Sequence, residues 1–564
     1  MPSDTDTDVV VVGAGPTGLV LAASLAVHGV RCRLVDKAPV RSTRSRALVV
    51  HARSLELLDR LGVARELVAR GERSMRVGLH VGGRPVAGFE MGDVGAGDAP
   101  FPFILFVSQA ETEDVLARRV AALGVAEERG VEFLGQEAVE KGGVLARLRG
   151  PGGAEAAVRA RFVVGCDGAH SAVRKSAGLS FEGEPYPQDF ILADAIVDFG
   201  APIEKRGLDV HLSRSGFLAF FPMKDGPGDG GPTHGLYRVI TSVRSGVPED
   251  APEPTLDDFR EAFRAAEAPR VSIREPRWLA RFRLHHRGVD RYRAGNVFVA
   301  GDAAHIHSPA GGQGMNTGMQ DAENLAWKLA LVLARRAPER LLDSYHDERH
   351  PVGRRLLRTT DRFFGIGTSR NPIVAGIRTF LLPRVAPRLL ATPARRRFAF
   401  RFVSQLGIRY RRSPIVREHA AGFSGGPRAG DRAPDGPLAT ADARQAVPLH
   451  SLLVPPAMHL LAFLGGEPVN DRHPAGDFER RVQAALGGVP AERIRVRLVV
   501  PTRTRPWSVE REAFVDETGD VRRRYGLDGP GLYLVRPDGH VGFRSAGTDT
   551  ARLVSYLRST FEIA

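Results

Sequence analysis

Asp8-Val9-Val10-Val11-Val12-Gly13-Ala14-Gly15-Pro16-Thr17-Gly18 is the stretch on which the fold turns. Four consecutive valines read as a buried strand. The segment Pro16 to His28 reads as a helix, with proline at a first position where a missing N–H costs nothing. Val30 to Val35 reads as a second strand, and the three together make a βαβ unit. Between strand and helix the glycines are spaced Gly-x-Gly-x-x-Gly. Gly13 permits the tight turn, Gly15 lets the backbone approach a pyrophosphate, and Gly18 allows close packing of helix on strand. Ala14, Pro16 and Thr17 complete the turn into a helix N-terminus, which attracts phosphate charge. An acid is expected about 20 residues on, at the end of the second strand, to bond a ribose hydroxyl. Asp36 stands there, followed by Lys37. The bare pattern recurs at Gly226-Pro227-Gly228-Asp229-Gly230-Gly231, but with no apolar strand leading into it and no helix after it. That copy reads as a loop between sheet strands.

Outward from this unit, a helix is predicted at about 110–123 and a strand over 160–165. From about residue 182 to 283 the pattern changes to alternating, Phe-rich runs such as Phe217 to Pro222 and Leu236 to Val243, which predict an antiparallel sheet facing a substrate. Val297 to Ala300 returns to a buried strand. A long helix begins near Gly314 with Ala322, Leu325, Ala326, Leu329 and Leu333 on one face. Ser424 to Pro437, rich in Gly, Pro and Asp, is the best domain boundary. Beyond it, a strand at 494–500, a hairpin at 532–543 turning at Pro537-Asp538-Gly539 and a final helix at about 550–561 suggest a small α/β domain.

The 564 residues are too many for one ordinary domain. At 43% hydrophobic and 26% charged the chain suits a globular protein with a large core. Its formal charge is +14, from 79 Lys plus Arg against 65 Asp plus Glu. The arginines read as scattered, the basic clusters as short, and no nucleic-acid-binding signature accompanies them. A basic nucleic-acid-binding protein is therefore a remote alternative. Cys32 and Cys166 have no neighbours at ligand spacing, which argues against a disulfide framework and for a reducing cytoplasm. His346 and His350 are four apart on a predicted helix, but Asp347 stands where a zinc-protease helix needs Glu, and no metal is expected. No apolar run approaches the ~20 residues of a membrane span, and neither membrane nor nucleic acid is expected as a partner.

Two further motifs end strands. One is Gly165-Cys166-Asp167-Gly168-Ala169-His170-Ser171. The other is Gly301-Asp302-Ala303-Ala304-His305, continuing to Pro309-Ala310-Gly311-Gly312-Gln313-Gly314-Met315-Asn316. The second suits a carboxylate bonding a sugar-like chain and a glycine-rich loop whose N–H groups face an electron-rich ring. His305 and His307 flank that loop, where backbone bonding is expected rather than acid–base work.

With three such motifs in this order, the sequence resembles the group A flavoprotein monooxygenases, the para-hydroxybenzoate hydroxylase family. It looks closest to the larger members that act on aromatic polyketides and rifamycins and carry a C-terminal thioredoxin-like domain. The resemblance implies an α/β chain built on a Rossmann-like FAD-binding domain (1–181 and 284–423), an antiparallel substrate sheet (182–283) and a thioredoxin-like domain (424–564). It implies that Gly13, Gly15, Gly18 and Asp36 hold the ADP part of FAD and that Arg46 and Gln109 contact the cofactor. Asp167 falls in the motif tied to FAD and nicotinamide, and Gly301-Asp302 in the one that binds the ribityl–pyrophosphate. Pro309, Gly312, Gln313, Gly314, Met315 and Asn316 match the loop against the flavin. Ser344-Tyr345 and Glu348-Arg349-Pro351 resemble a family helix. Asp36 stands where Glu is usual, and both cysteines precede the C-terminal domain, which therefore has no dithiol chemistry. The implied reaction uses NADPH or NADH and O₂ and runs through a C4a-hydroperoxide of the flavin. It hydroxylates a phenolic, polycyclic aromatic substrate of the polyketide or antibiotic type, with Baeyer–Villiger insertion as the alternative. No catalytic acid or base is required. Phe217, Phe220 and Arg238 are the candidate substrate contacts, and a monomer or homodimer is expected.

Overall fold

The computed structural model describes residues 6–43, 47–90, 97–139, 142–213, 216–243, 252–268, 270–307, 311–369, 371–440, 446–454, 456–464, 484, 494–501, 513–547 and 549–562. Strand Thr7–Val12, helix Pro16–Val27 and strand Cys32–Asp36 form the βαβ unit, with the strands parallel and Val12 opposite Val35. Val9, Val10 and Val11 are fully buried, as a central parallel strand covered on both faces requires. The parallel order continues through Glu155–Gly165 and Val297–Val299 on one side and Glu127–Arg129 on the other. The carboxyl ends of three strands, at Val12, Gly165 and Val299, therefore lie side by side. The three sequence motifs begin at these ends, which is where open α/β sheets bind ligands.

The second sheet has eight strands and is larger than the segment 182–283. It also takes in Arg76–Val81 and Arg84–Glu90, runs on to Gly288 and ends at His305–Ile306. Strand Leu208–Leu212 pairs in parallel with Arg76–Val81, Leu208 opposite Val77, a partner about 130 residues away that no local pattern could announce. Its faces alternate. Phe190, Leu192, Ala219, Phe221 and Ile240 pack against Leu48, Val49 and Phe106 of the first lobe. Ile191, Leu218, Phe220 and Val239 pack beneath helix Leu256–Ala265 through Phe259 and Phe263.

The third sheet is the thioredoxin-like C-terminal unit. Met458–Phe463 pairs in parallel with Ile494–Val500 and antiparallel with Gly531–Val535, which makes a hairpin with Val541–Ala546. Arg417–His419 joins this sheet ahead of the expected boundary at 424. The hairpin tip is driven into the first lobe. Arg536 donates to both oxygens of Glu348 at 2.6 and 2.9 Å, and Arg53 and Arg60 donate to the carbonyls of Asp538 and Pro537. Helix Gly314–Leu333 is consequently buried on all sides over residues 316–330. One side meets helix Pro16–Val27, with Ser24 donating to Glu323 at 2.5 Å, and another meets the C-terminal unit through Trp327 and Asn324.

Candidate active site

The glycine turn has a distinct steric reason at each position. Gly13 has φ +101°, and a Cβ there would lie 2.4 Å from the Cys166 carbonyl oxygen. At Gly18 a Cβ would stand 1.8 Å from the Gly13 oxygen, so helix and turn meet with no room for a side chain. A Cβ on Gly15 would meet nothing within 4 Å. The open side of the turn is thus at Gly15, where helix Pro16–Val27 begins without a side-chain cap and its first-turn N–H groups lack intrahelical acceptors. Ala14 donates its N–H to Asp36 Oδ2 at 2.7 Å and Ala38 to Oδ1 at 2.8 Å. These bonds fix the carboxylate at the turn; Oδ1 also faces Arg129 Nη1 at 3.5 Å, which leaves Oδ2 the freer oxygen for a hydroxyl donor. Lys37 is exposed beside Gly130 and Pro151 in a small cavity of about 300 Å³. Thr17 fills the space left by two other glycines: a Cβ on Gly301 or Gly318 would lie 2.6 or 2.3 Å from its hydroxyl.

Asp302 follows Gly301, whose φ is +62°. Among the described residues no donor reaches its carboxylate. Its side chain is open to solvent yet crowded by surrounding protein, and that desolvation raises its pKa against the opposing charge of His305. The turn is held from beneath by Asp321, which accepts from Gly301 N–H at 3.1 Å, from His305 Nε2 at 2.7 Å and from Arg349 Nε at 2.6 Å. His305 therefore bonds a carboxylate and not the backbone. Arg349 also donates to the Tyr410 hydroxyl at 2.8 Å and the Thr317 carbonyl at 3.1 Å. Burial works against every charge in this cluster. Even so, Arg349 and His305 hold the Asp321 carboxyl below the usual range.

The loop into helix Gly314–Leu333 is tied to the second sheet's neighbours. Gly312 has φ +62° and packs so closely that a Cβ would lie 2.6 Å from Val49. Asn316 spends its whole side chain on the fold: Nδ2 donates to the Val49 and Gly312 carbonyls and Oδ1 accepts from His51 N–H, each at 2.8 Å. His51 bonds the Gly311 carbonyl through Nε2 at 2.7 Å, and burial pushes its pKa down to about 4, so the ring is neutral. Gln313 precedes the helix without capping it, so the first-turn N–H groups around Gly314 and Met315 are free to face a ligand. Met315 is half-buried. Gln109 opens helix Gln109–Ala122 and donates to Glu113 at 2.7 Å. Asp167 is committed to structure, accepting from the Ser171 hydroxyl and from Ala172 N–H at 2.7 Å, the start of helix Ala172–Ser176. Arg46 and Pro309 lie outside the described residues. His51, Asp321 and Tyr410 carried no motif in the sequence; only the Glu348-Arg349 pair hinted at this network.

On the second sheet, the candidate substrate contact Arg238 is a buried side chain with a charged partner. It donates to both oxygens of Asp194 at 2.7 Å and lies 5.4 Å from the Trp278 ring centroid. It shares its face with Phe217 and Phe221, toward the loop side. Phe220 points the other way, fully buried against Phe199 and Phe263, and belongs to the outer layer's core. A separate cleft of about 1040 Å³ reaches Gln313 from between helices Asp343–Thr368 and Pro393–Val403. It includes neither Gly15 nor Asp302.

Residues 6–360 match the family model described as FAD binding domain. Over 569 residues the chain is 34% identical to 6-methylpretetramide 4-monooxygenase of Streptomyces rimosus, covering 99% of this chain and 94% of that one. The chain is a group A FAD-dependent aromatic monooxygenase. This monooxygenase is also 32% identical to pentachlorophenol 4-monooxygenase of Sphingobium chlorophenolicum, over 97% and 95% of the two chains. Among solved structures it is similar to the anhydrotetracycline hydroxylase OxyS of Streptomyces rimosus, at 31% identity and TM-score 0.71 over 98% and 99% of the chains. The residues of the monooxygenase fit FAD: the turn is open at Gly15, two helices begin without a side-chain cap and, among the described residues, the Asp302 carboxylate has no donor.

Proposed function

We propose that the monooxygenase uses NADPH or NADH and O₂ to hydroxylate a phenolic, polycyclic aromatic molecule of the polyketide or antibiotic type. The observation that carries this reading is one line of contacts. The Gly312–Asn316 loop is bonded to Val49, and Val49 packs with Phe106, Phe190 and Phe221 of the second sheet. An aromatic ring beside the loop is then met by an apolar wall, with few polar groups to set its orientation. In this reading Gly13, Gly15 and Asp36 hold the ADP half of FAD. Asp302 takes the ribityl hydroxyls or pyrophosphate side, and the N–H groups at Gly314 and Met315 face the flavin carbonyls. Bound FAD supplies the redox chemistry, accepting hydride and activating O₂. The chain's own contribution is to bind, to orient and to exclude water, through Asn316, His51 and the Asp321 cluster beneath. Phe217 and Phe221 are the apolar contacts, and the Arg238–Asp194 pair ties the neighbouring strand His234–Val243 to Glu182–Asp198.

The relatives' names run from pentachlorophenol to anhydrotetracycline, which is support for an aromatic ring and not for one compound. The test is to incubate FAD-loaded enzyme with NADPH or NADH, air and a panel of anthraquinones, naphthacenes and a rifamycin, read by mass spectrometry. A substrate-dependent gain of one oxygen atom supports the reading, and the product's skeleton separates ring hydroxylation from Baeyer–Villiger insertion. Nicotinamide oxidation with peroxide as sole product across the panel counts against the polycyclic substrate class. No nicotinamide turnover with any member counts against the reductant.

A further inference from the structure

The positive charge is not spread along the chain as its short basic clusters suggest. Residues 362–417 hold thirteen arginines and no lysine, aspartate or glutamate, so this segment alone accounts for +13 of the formal +14. It folds as helix Pro372–Gly376, a π-helical turn Ile377–Leu381, and helices Leu382–Leu389 and Pro393–Val403. Its inner side is anchored. Arg378 is buried and donates to the carbonyls of Ile366, Gly367 and Ser369 at 2.8, 2.7 and 3.0 Å, with Ala375 and Ala386 buried beside it.

The outer side is apolar. Ile373, Ile377, Leu381, Val385 and Leu389 recur at every fourth residue and are 72, 51, 53, 37 and 56% exposed. Among the described residues, eight of the eleven exposed large apolar side chains fall between 366 and 398. Among the described residues, the arginines next to this ridge have no counter-charge. Arg384, Arg388, Arg395 and Arg396 donate only to main-chain carbonyls, and among the described residues none of them pairs with a carboxylate.

An aliphatic ridge bordered by uncompensated guanidinium groups suits one surface above others. Duplex nucleic acid offers no apolar layer for five aliphatic side chains, and a second copy would bring like charges together. A bilayer with anionic headgroups takes the ridge at its acyl boundary and the arginines at its phosphates. No helix among the described residues is long and apolar enough to cross a membrane, so the contact is with its surface. We propose that the Pro372–Val403 face docks the protein on anionic lipid surfaces.

The test is co-sedimentation of the full-length, FAD-loaded protein with phosphatidylcholine vesicles, with or without about 30 mol% phosphatidylglycerol. Binding is expected only with the anionic lipid and is expected to be released by about 0.5 M salt. The exposed pairs Ile373→Ser/Leu389→Ser and Arg384→Gln/Arg388→Gln should each weaken it at least about tenfold while FAD content and melting temperature stay at wild-type values. No binding of wild-type protein to anionic vesicles overturns the proposal. So does binding that the Ile373→Ser/Leu389→Ser pair leaves unchanged, which is the behaviour of a polycation. Equal retention of both proteins on duplex DNA or polyglutamate assigns the surface to those polyanions, and a wild-type dimer lost in the apolar variant assigns it to self-association; either result overturns the lipid assignment.

Discussion

Asp321→Asn removes the charge that Arg349 and His305 face while keeping the side chain's shape. Asp321 and Arg349 are both fully buried and 2.6 Å apart, and breaking such a pair costs about 3–5 kcal/mol because a buried charge is left without its partner. At the lower end of the roughly 2–4 °C per kcal/mol seen for domains of 150–250 residues, the melting transition should fall by about 6–10 °C. Arg349→Met should cost a similar amount by leaving the buried Asp321 carboxylate to the His305 ring and the Gly301 N–H. The double variant should cost less than the sum by about 1–3 kcal/mol, the coupling typical of residues in direct contact. Because Asp321 supports Gly301 N–H next to Asp302, FAD retention, read as the ratio of flavin to protein absorbance, should fall as well. The carboxyl's pKa is depressed in the folded state. Its contribution is therefore complete above the unfolded value of about 3.9 and is lost as the pH falls below it. The gap between wild type and Asp321→Asn should close in strong acid. A cost below about 1 kcal/mol, or single effects that add without coupling, would show that this cluster is solvated and refute the reasoning.

Gly18→Ala places a methyl group 1.8 Å from the Gly13 oxygen; the purified variant should carry little or no FAD, and full occupancy would contradict the close-packing role. Arg536→Gln removes the buried guanidinium that faces both Glu348 and Asp538; Glu348 keeps Lys328 at 2.9 Å, so the variant leaves Asp538 as the charge without its cation. It should loosen the C-terminal unit by about 3–5 kcal/mol, seen as faster limited proteolysis, and an unchanged cleavage rate would mean that the hairpin tip is no anchor. His51 is held neutral with a pKa of about 4. Its stabilising contribution is present above the unfolded value of about 6.5 and is lost as the pH falls toward 4, by about 1.4 kcal/mol per unit. His51→Gln should flatten the acid side of the stability profile by that slope, and an unchanged slope would place the titration elsewhere.

The local geometry of the candidate site was legible where backbone conformation constrains a few consecutive residues. The Val9–Val12 strand, the glycine turn, Asp36 and the Gly301-Asp302 turn were read at their places because each depends on backbone conformation and close approach, which glycine spacing records directly. The C-terminal hairpin was legible for the same reason, with Pro537-Asp538-Gly539 at its turn. What the sequence could not show depends on partners distant in the chain. Helix Gly314–Leu333 shows one apolar stripe, but the structure buries it all round because its polar residues meet Glu348 and Asp538. Asp167, in a cofactor motif, also accepts from the first N–H groups of helix Ala172–Ser176, and Arg238, a candidate substrate contact, is the buried partner of Asp194. Phe220 and Phe221 differ by one position, and strand alternation sends them to opposite faces. The second sheet recruits residues 76–90, and Asp321, His305 and Arg349 converge from three elements. Sequence alone determined the local conformations that nucleotide binding requires. Only tertiary packing decided which charges are paired and which faces are covered, since burial and pairing are properties of neighbours the chain brings together from afar.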